Sequence, residues 1–217
     1  VSCFTDPLTP EQLKELARNT ERLGYGALWY VEAIGYESFS LGSFLLNQTE
    51  TLNIASGISN IYGRDATAPK QSQHSLAKFS GGRFLLGLGV SIKPLDEDAR
   101  GHQSGKPLAT MSAYLDAMEN ATAIAPPLEA QPPTVLAALG PKMTELAGAR
   151  TDRALSYNVT PEHTARAREI LGRDKWLCVE QKVLLVSDPG KAREVARQTM
   201  AFYMPLPNYR NNWHSLG

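Results

Sequence analysis

Residues 52–93 constrain the fold more than any other stretch of the chain. Leu52–Ile61 is an apolar run rich in β-branched residues, the pattern of a buried strand. Gly63, Arg64 and Asp65 form a polar turn. Thr67–Phe79 then reads as a helix, with Pro69 tolerated because it falls in the first turn. Ser80-Gly81-Gly82 stops that helix and offers a glycine for a left-handed cap. Phe84–Val90 is a second buried strand. Strand, helix and strand with short connections make a βαβ unit, whose crossover is right-handed. The Gly57-Ile58 and Gly89-Val90-Ser91 ends then lie side by side. Ligands of parallel α/β folds sit beyond the carboxyl ends of the strands. These two ends are therefore expected to floor a cofactor site.

The same alternation runs through the rest of the chain. Val1–Phe4 reads as the tail of a strand. Thr9-Pro10-Glu11-Gln12 opens a helix, with Thr9 and Gln12 as a capping box, and Gly24 closes it. Ala27–Val31 is a strand ending at Glu32, and Phe39, Leu41, Phe44 and Leu45 mark a short apolar helix. Residues 93–106 form a polar connection without a period, the character of a lid or binding loop. A helix face follows at Met111, Tyr114, Leu115 and Met118. Pro126-Pro127 and Pro132-Pro133 bracket a surface linker but give no reason to split the chain, so one domain over 1–217 is expected. Thr134–Leu139, Ala154–Val159 and Trp176–Val186 are strands, with helices opening at Gly140-Pro141, Thr160-Pro161 and Asp188-Pro189. Residues 205–217 show little period. Strand and helix alternating in this way predict a parallel sheet with helices outside, either doubly wound or an incomplete eightfold barrel. No Gly-x-Gly-x-x-Gly follows the first strand, which disfavours a dinucleotide-binding Rossmann fold.

Charge and cysteine usage remove several function classes. Lys plus Arg and Asp plus Glu number 22 each, so the net charge is zero. A nucleic-acid partner would favour a basic surface, and an anionic membrane would too. Cys3 and Cys178 lie in no metal-ligand spacing and read as reduced core thiols. The chain has no apolar run of membrane-spanning length and no leader-like start, so a soluble cytoplasmic protein is expected. His74 and His163 are expected at the surface. With no His-x-x-x-His, Cys-x-x-Cys or acid-rich loop, no metal is expected.

Several residues are placed for chemistry. Gly140-Pro141-Lys142 lies between a strand and a helix start, where free amides bind phosphate and Lys142 adds charge; a tight turn without a ligand is the other reading. Gly57-Ile58 inside a strand suggests a bulge at a ligand face or a packing glycine. Glu32 would stand at the mouth of a barrel, or cap a helix or pair with a base. Arg64 and Asp65 suit a cofactor tail or substrate, or pairing within their loop. Asn60 and Asn158 suit hydrogen bonds to a ring's polar edge, or turns. Ser91 lacks the Gly-x-Ser-x-Gly frame of a hydrolase nucleophile.

Taken in order, Tyr62-Gly-Arg64-Asp65, Ser80-Gly-Gly-Arg-Phe84, Leu86-Gly-Leu-Gly-Val-Ser91 and Leu136-Ala-Ala-Leu-Gly-Pro-Lys142 resemble the bacterial luciferase-like oxidoreductases, in particular the branch that uses the deazaflavin coenzyme F420. The resemblance implies a TIM (β/α)8-type barrel with the cofactor in its carboxyl-terminal mouth. Members continue beyond the position of Gly217, so an eighth strand and part of the first are expected to be lacking, with unpaired sheet edges. It implies that Gly57-Ile58 is a non-prolyl cis peptide behind the cofactor ring, and that Gly140 and Pro141 hold its phosphate. Glu32, Asn60, Gly89, Ser91 and Asn158 match positions around the same pocket, with Arg64 and Lys142 as candidates for the cofactor tail or substrate. The implied reaction is hydride transfer between F420 and a small organic substrate, with Glu32 moving a proton, in a homodimer. An FMN-dependent monooxygenase and a non-catalytic, degenerate barrel are the alternative readings.

Overall fold

A computed structural model of the protein describes residues 1–122, 124–151 and 153–216; the terminal Gly217 lies outside them. The chain divides into two units, Val1–Ala137 and Ala138–Gly217.

The first unit is a parallel sheet flanked by helices. Its strands are β1 (Ser2–Cys3), β2 (Ala27–Tyr30), β3 (Asn53–Ser56), β4 (Ser59–Asn60), β5 (Phe84–Gly89) and β6 (Thr134–Ala137). They pair in the order β1-β2-β3-β5-β6, and β4 also pairs with β5. The register sets Trp29 beside Ala55, Ala55 beside Leu85, and Leu88 beside Leu136. Every residue of β5 is buried, as expected of a central strand covered on both faces.

Local chemistry explains the helices of this unit. α1 (Pro10–Arg22) starts with the full capping box: Gln12 N–H donates to Thr9 Oγ1, and Thr9 N–H donates to Gln12 Oε1. α2 (Ser38–Leu46) is capped by Glu37, which accepts from the Phe39 and Ser40 amides. α3 (Thr67–Ser80) is capped from two residues back by Asp65, whose Oδ1 accepts from Thr67 and Ala68. It ends at Gly81 with φ 66°, the left-handed cap anticipated from Ser80-Gly81-Gly82. α4 (Pro107–Asn120) buries Met111, Leu115 and Met118.

The second unit holds β7 (Arg153–Tyr157) and β8 (Trp176–Glu180), paired in parallel, with α5 (Pro141–Arg150), α6 (Pro161–Leu171), α7 (Pro189–Ala201) and α8 (Pro207–His214). Ala138 runs beside β7: its N–H donates to Leu155 O, and its carbonyl accepts from Ser156 Oγ.

Four expectations are corrected. Leu52–Ile61 is two short strands, because β3 stops at Ser56 and β4 resumes at Ser59. β8 ends at Glu180, well before Val186; Val183 and Leu185 beyond it are 90% and 106% exposed. Residues 93–106 contain a π-helical turn, Pro94–Ala99, that buries Asp96. The terminal stretch, which shows no apolar period, contains α8: Tyr209 and Trp213 are four apart and their rings stack at 6.0 Å.

Candidate functional site

The break between β3 and β4 shapes the carboxyl end of the first unit's sheet. The Gly57–Ile58 peptide is cis. Gly57 N–H donates to Tyr30 O at 2.6 Å, and on the other side a side chain joins the strands: Ser56 Oγ donates to Gly87 O at 3.0 Å and accepts from Gly87 N–H at 2.9 Å. A Cβ on Gly87 would come within 1.9 Å of Ser56 O, so only glycine allows this approach. On Gly89 a Cβ would meet Ile58 Cγ1 at 2.7 Å, so Gly89 makes room for the Ile58 side chain. Gly57 and Ile58 are themselves half-buried, between fully buried residues on either side. Ser91 follows β5 in a left-handed conformation, φ 57°, also half-buried.

A buried polar network stands beside this floor. Glu32, directly after β2, is 6% exposed. Its Oε1 accepts from Arg64 Nη2 and from the Ser38 amide at 3.3 Å. Its Oε2 accepts from Arg64 Nη1 at 2.9 Å and from the Asn60 amide at 2.8 Å. Arg64 also bonds Glu37 at 3.1 Å and lies over the Phe39 ring at 4.9 Å. Its neighbouring carboxylates hold its charge, and its pKa is raised although burial works the other way. Asn60 is fully buried: its Oδ1 accepts from Tyr62 N–H and its Nδ2 donates to Asp96 Oδ1 at 2.6 Å. Asp96 is 1% exposed, and burial pushes its carboxyl pKa up. Ser38 and Ser59 join the network through their hydroxyls, 2.5 Å apart.

Glu32, Asn60 and Arg64 are thus brought together, and they use their polar atoms on one another. Four donors occupy the four lone-pair directions of Glu32. A proton-transfer role for it requires displacing one of them. Asp65 is a helix cap. Asp96, Ser38 and Ser59 were not legible as members of this network: Asp96 lies in a polar connection and Ser38 at a helix start, which carry no periodic signal, and Ser59 lies inside an apolar run.

In the second unit, Gly140 is the N-cap residue of α5, with no side-chain cap and open space where its Cβ would lie. In the first turn of α5 the Met143 and Thr144 amides both donate to Gly140 O at 3.1 Å and Pro141 has no N–H, so the Lys142 amide is the one left at the positive end of the helix. Pro141 fills the position that needs no N–H, and Lys142 is exposed. Asn158, just past β7, has φ 53°. Its carbonyl accepts from Trp213 Nε1 at 2.8 Å, while its own Nδ2 is buried without a partner. His163 is only 4% exposed, which corrects the surface expectation; its Nε2 is 2.6 Å from Leu139 O. His74, on α3, bonds Pro126 O at 2.9 Å.

A groove of about 310 Å³ in the first unit lies by Arg83 at the amino end of β5, away from the strand ends just described. Among the described residues no group of three His, Cys, Asp or Glu is placed to hold a metal, and no helix is long and apolar enough to cross a membrane.

Comparison with known proteins bears on the fold and the family. The chain is 24% identical over 237 residues to Rv3520c of Mycobacterium tuberculosis, which carries the name of a coenzyme F420-dependent oxidoreductase; the match covers 90% of this chain and 68% of the relative. It is 25% identical over 229 residues to the 5,10-methylenetetrahydromethanopterin reductase of Methanolobus tindarius, covering 91% and 68%. Among solved structures, the coenzyme F420-dependent tetrahydromethanopterin reductase of Methanopyrus kandleri superposes with a TM-score of 0.75 at 18% identity, over 94% of this chain and 71% of that one. That likeness bears out the expected fold class, a luciferase-like barrel of the TIM type. The family model described as luciferase-like monooxygenase matches residues 4–217, and the chain belongs to that family.

Proposed function

We propose that this protein binds coenzyme F420 and serves hydride transfer between it and a small organic substrate. The observation that carries this reading is the half-exposed Gly57-Ile58 backbone, which surfaces at the sheet's carboxyl end beside a buried polar network. A flat apolar ring needs such a floor, and the network keeps the adjoining wall rigid. F420 is chosen over FMN because two of the three relatives above carry its name. FMN is the second reading, favoured by the family's description as monooxygenases.

Each unit by itself offers groups that suit one part of a phosphate-bearing deazaflavin. The uncapped N-terminus of α5 at Gly140 and Pro141, with Lys142 beside it, would take the phosphate. The unpaired Nδ2 of Asn158 would donate to the ring's polar edge. Gly57, Ile58, Gly89 and Ser91 would line the ring's floor, and Glu32 with Asn60 would hold its wall. When bound, the deazaflavin supplies the hydride chemistry. Glu32 in this reading fixes Arg64, Ser38 and Asn60 in place; it is also the candidate to move a proton once one donor leaves. We further infer a homodimer in the cytoplasm. Exposed apolar residues such as Val183 and Leu185 favour association, and neither Cys3 nor Cys178 is in a disulfide.

The test is a pair of substitutions at Gly140. Its φ of −85° suits any residue and nothing lies within 4 Å of a Cβ, so both variants fold. Gly140→Asp sets a carboxylate against the phosphate and is expected to abolish F420 binding, while Gly140→Ala changes it little. Equal affinity in both variants would remove this phosphate site.

A further inference from the structure

Three tyrosines gather in the second unit, none of them among the residues assigned above. Tyr157, the last residue of β7, stands in register with Glu180, the last residue of β8. Tyr203, shortly after α7, and Tyr209, on α8, bring two more rings to it. The Tyr157 and Tyr203 centroids are 5.4 Å apart, and their hydroxyls are hydrogen-bonded to each other. Tyr209 makes T-shaped contacts with both, at 5.9 Å from Tyr157 and 5.3 Å from Tyr203. One cation is seated on this group. Lys182 Nζ lies 4.4 Å from the centre of the Tyr157 ring and 5.5 Å from that of Tyr203. It donates to Tyr157 Oη at 2.7 Å and is 3.7 Å from Glu180 Oε1. Two aromatic rings, a phenol oxygen and a carboxylate around one ammonium are the elements with which proteins recognise organic cations.

We infer that Tyr157, Tyr203 and Glu180 form a binding site for a small molecule bearing a quaternary ammonium group, which enters where the Lys182 ammonium now sits. The occupant shows the chemistry of the site, and it is loosely tied. Residues 181–185 are exposed throughout and form no helix or strand. Withdrawing Lys182 therefore uncovers no core residue and breaks no strand ladder. The rings stay in place without it, because they hold one another and Tyr209 stacks on Trp213, whose Nε1 donates to Asn158 O at 2.8 Å. Burial first, and the Tyr203 hydroxyl next, push the Tyr157 phenol up, so it stays neutral and the Glu180 carboxylate supplies the negative charge. A lysine ammonium is a compact, strongly hydrated charge. A quaternary ammonium holds its water less tightly, loses less on meeting aromatic rings, and so displaces the lysine. Tyr157 and Glu180 end parallel strands, the position where such folds bind small ligands. The site holds whichever flavin the protein binds.

NMR titration of the full chain with choline, following the tyrosine ring resonances, tests the site. Saturable shifts are expected in the wild type. Lys182→Met removes the internal competitor and is expected to tighten binding roughly fivefold. Glu180→Gln keeps the shape but not the charge and is expected to weaken it roughly fivefold. Tyr203→Leu is expected to abolish it. The neutral isostere 3,3-dimethylbutan-1-ol is expected to give no saturation over the same range. If Tyr203→Leu fails to fold, Glu180→Gln and the neutral isostere decide the matter. No choline binding up to about 100 mM in the Lys182→Met variant would overturn the site. So would equal binding of the neutral alcohol, or a Glu180→Gln variant that binds like the wild type. Binding to Lys182→Met but not to the wild type would make Lys182 a fixed part of the fold and overturn the site as well. A trimethyl-lysine peptide that binds roughly tenfold tighter than choline would show a protein tail to be the ligand, and would overturn the small-molecule assignment.

Discussion

Arg64 illustrates how much of this protein rests on single buried polar residues. It closes both oxygens of Glu32, whose side chain is 2% exposed, and its own side chain is 11% exposed. Removing one partner of a buried pair strands the other's charge. Arg64→Met is therefore expected to lower unfolding stability by about 3–5 kcal/mol in urea denaturation. A loss under about 1 kcal/mol, the range of an exposed pair, would show that water reaches Glu32. Two glycines give an opposite pair of expectations. Gly87→Ala would drive a Cβ into Ser56 O, and no soluble folded protein is expected from it. Gly140→Ala has open space, and its melting curve should match the wild type within about 0.5 kcal/mol. At this scale the sequence was partly legible. Glu32 and Asn60 stood at strand ends and were found there. The closure of Glu32 by four donors was not readable, because the bonds come from residues 6, 28 and 32 positions away. Asp96 was hidden inside a polar loop, and His163 inside a helix turn that reads as surface.

At the scale of elements, capping chemistry was the most legible signal. Thr9, Asp188 and Thr160 cap the helices they precede, and Gly81 ends α3 in the left-handed conformation. The strand–helix–strand unit of residues 52–93 is present, but its first strand is interrupted. Nothing in an apolar run signals where hydrogen bonding pauses. Glu21 shows how an element is tied to its neighbour. Its Oε1 accepts from the Thr51 amide, the Leu52 amide, the Thr51 hydroxyl and the Glu50 amide, joining α1 to the start of β3. The Thr51 amide leads the donors that hold its carboxyl pKa down to about 2 against the opposing effect of burial. An unfolded glutamate titrates near about 4.3. A folded pKa below the unfolded one contributes stability that is complete above the unfolded value and is lost as pH falls through the folded one. Glu21→Gln should thus be less stable than the wild type at neutral pH, by about 1 kcal/mol because solvent screens a group at the surface edge. The gap should close as pH falls from the unfolded value to about 2. A gap that persists unchanged at acid pH would mean that the amide bonds, not the charge, carry the effect.

For the whole molecule, alternation of strand and helix made the parallel α/β class readable from one end of the chain to the other. The motif order then pointed to the luciferase-like family, and the match over residues 4–217 places the chain there. Less readable were the segments whose order depends on distant partners, such as α8, where the stacked Tyr209 and Trp213 stand in for an apolar period. Balanced charge has a consequence at this scale. With 22 basic and 22 acidic residues and a sequence pI near 7.1, solubility should be lowest around neutral pH and rise on either side. A minimum displaced well away from neutrality, by turbidity against pH, would show that the exposed charges are not balanced. The proposal made above is narrower: that this member of the family binds a deazaflavin. Fluorescence titration of the full chain with F420 and, separately, with FMN addresses it most directly. The account predicts saturable binding of F420 and much weaker binding of FMN. Tighter binding of FMN, or binding of neither, would contradict it.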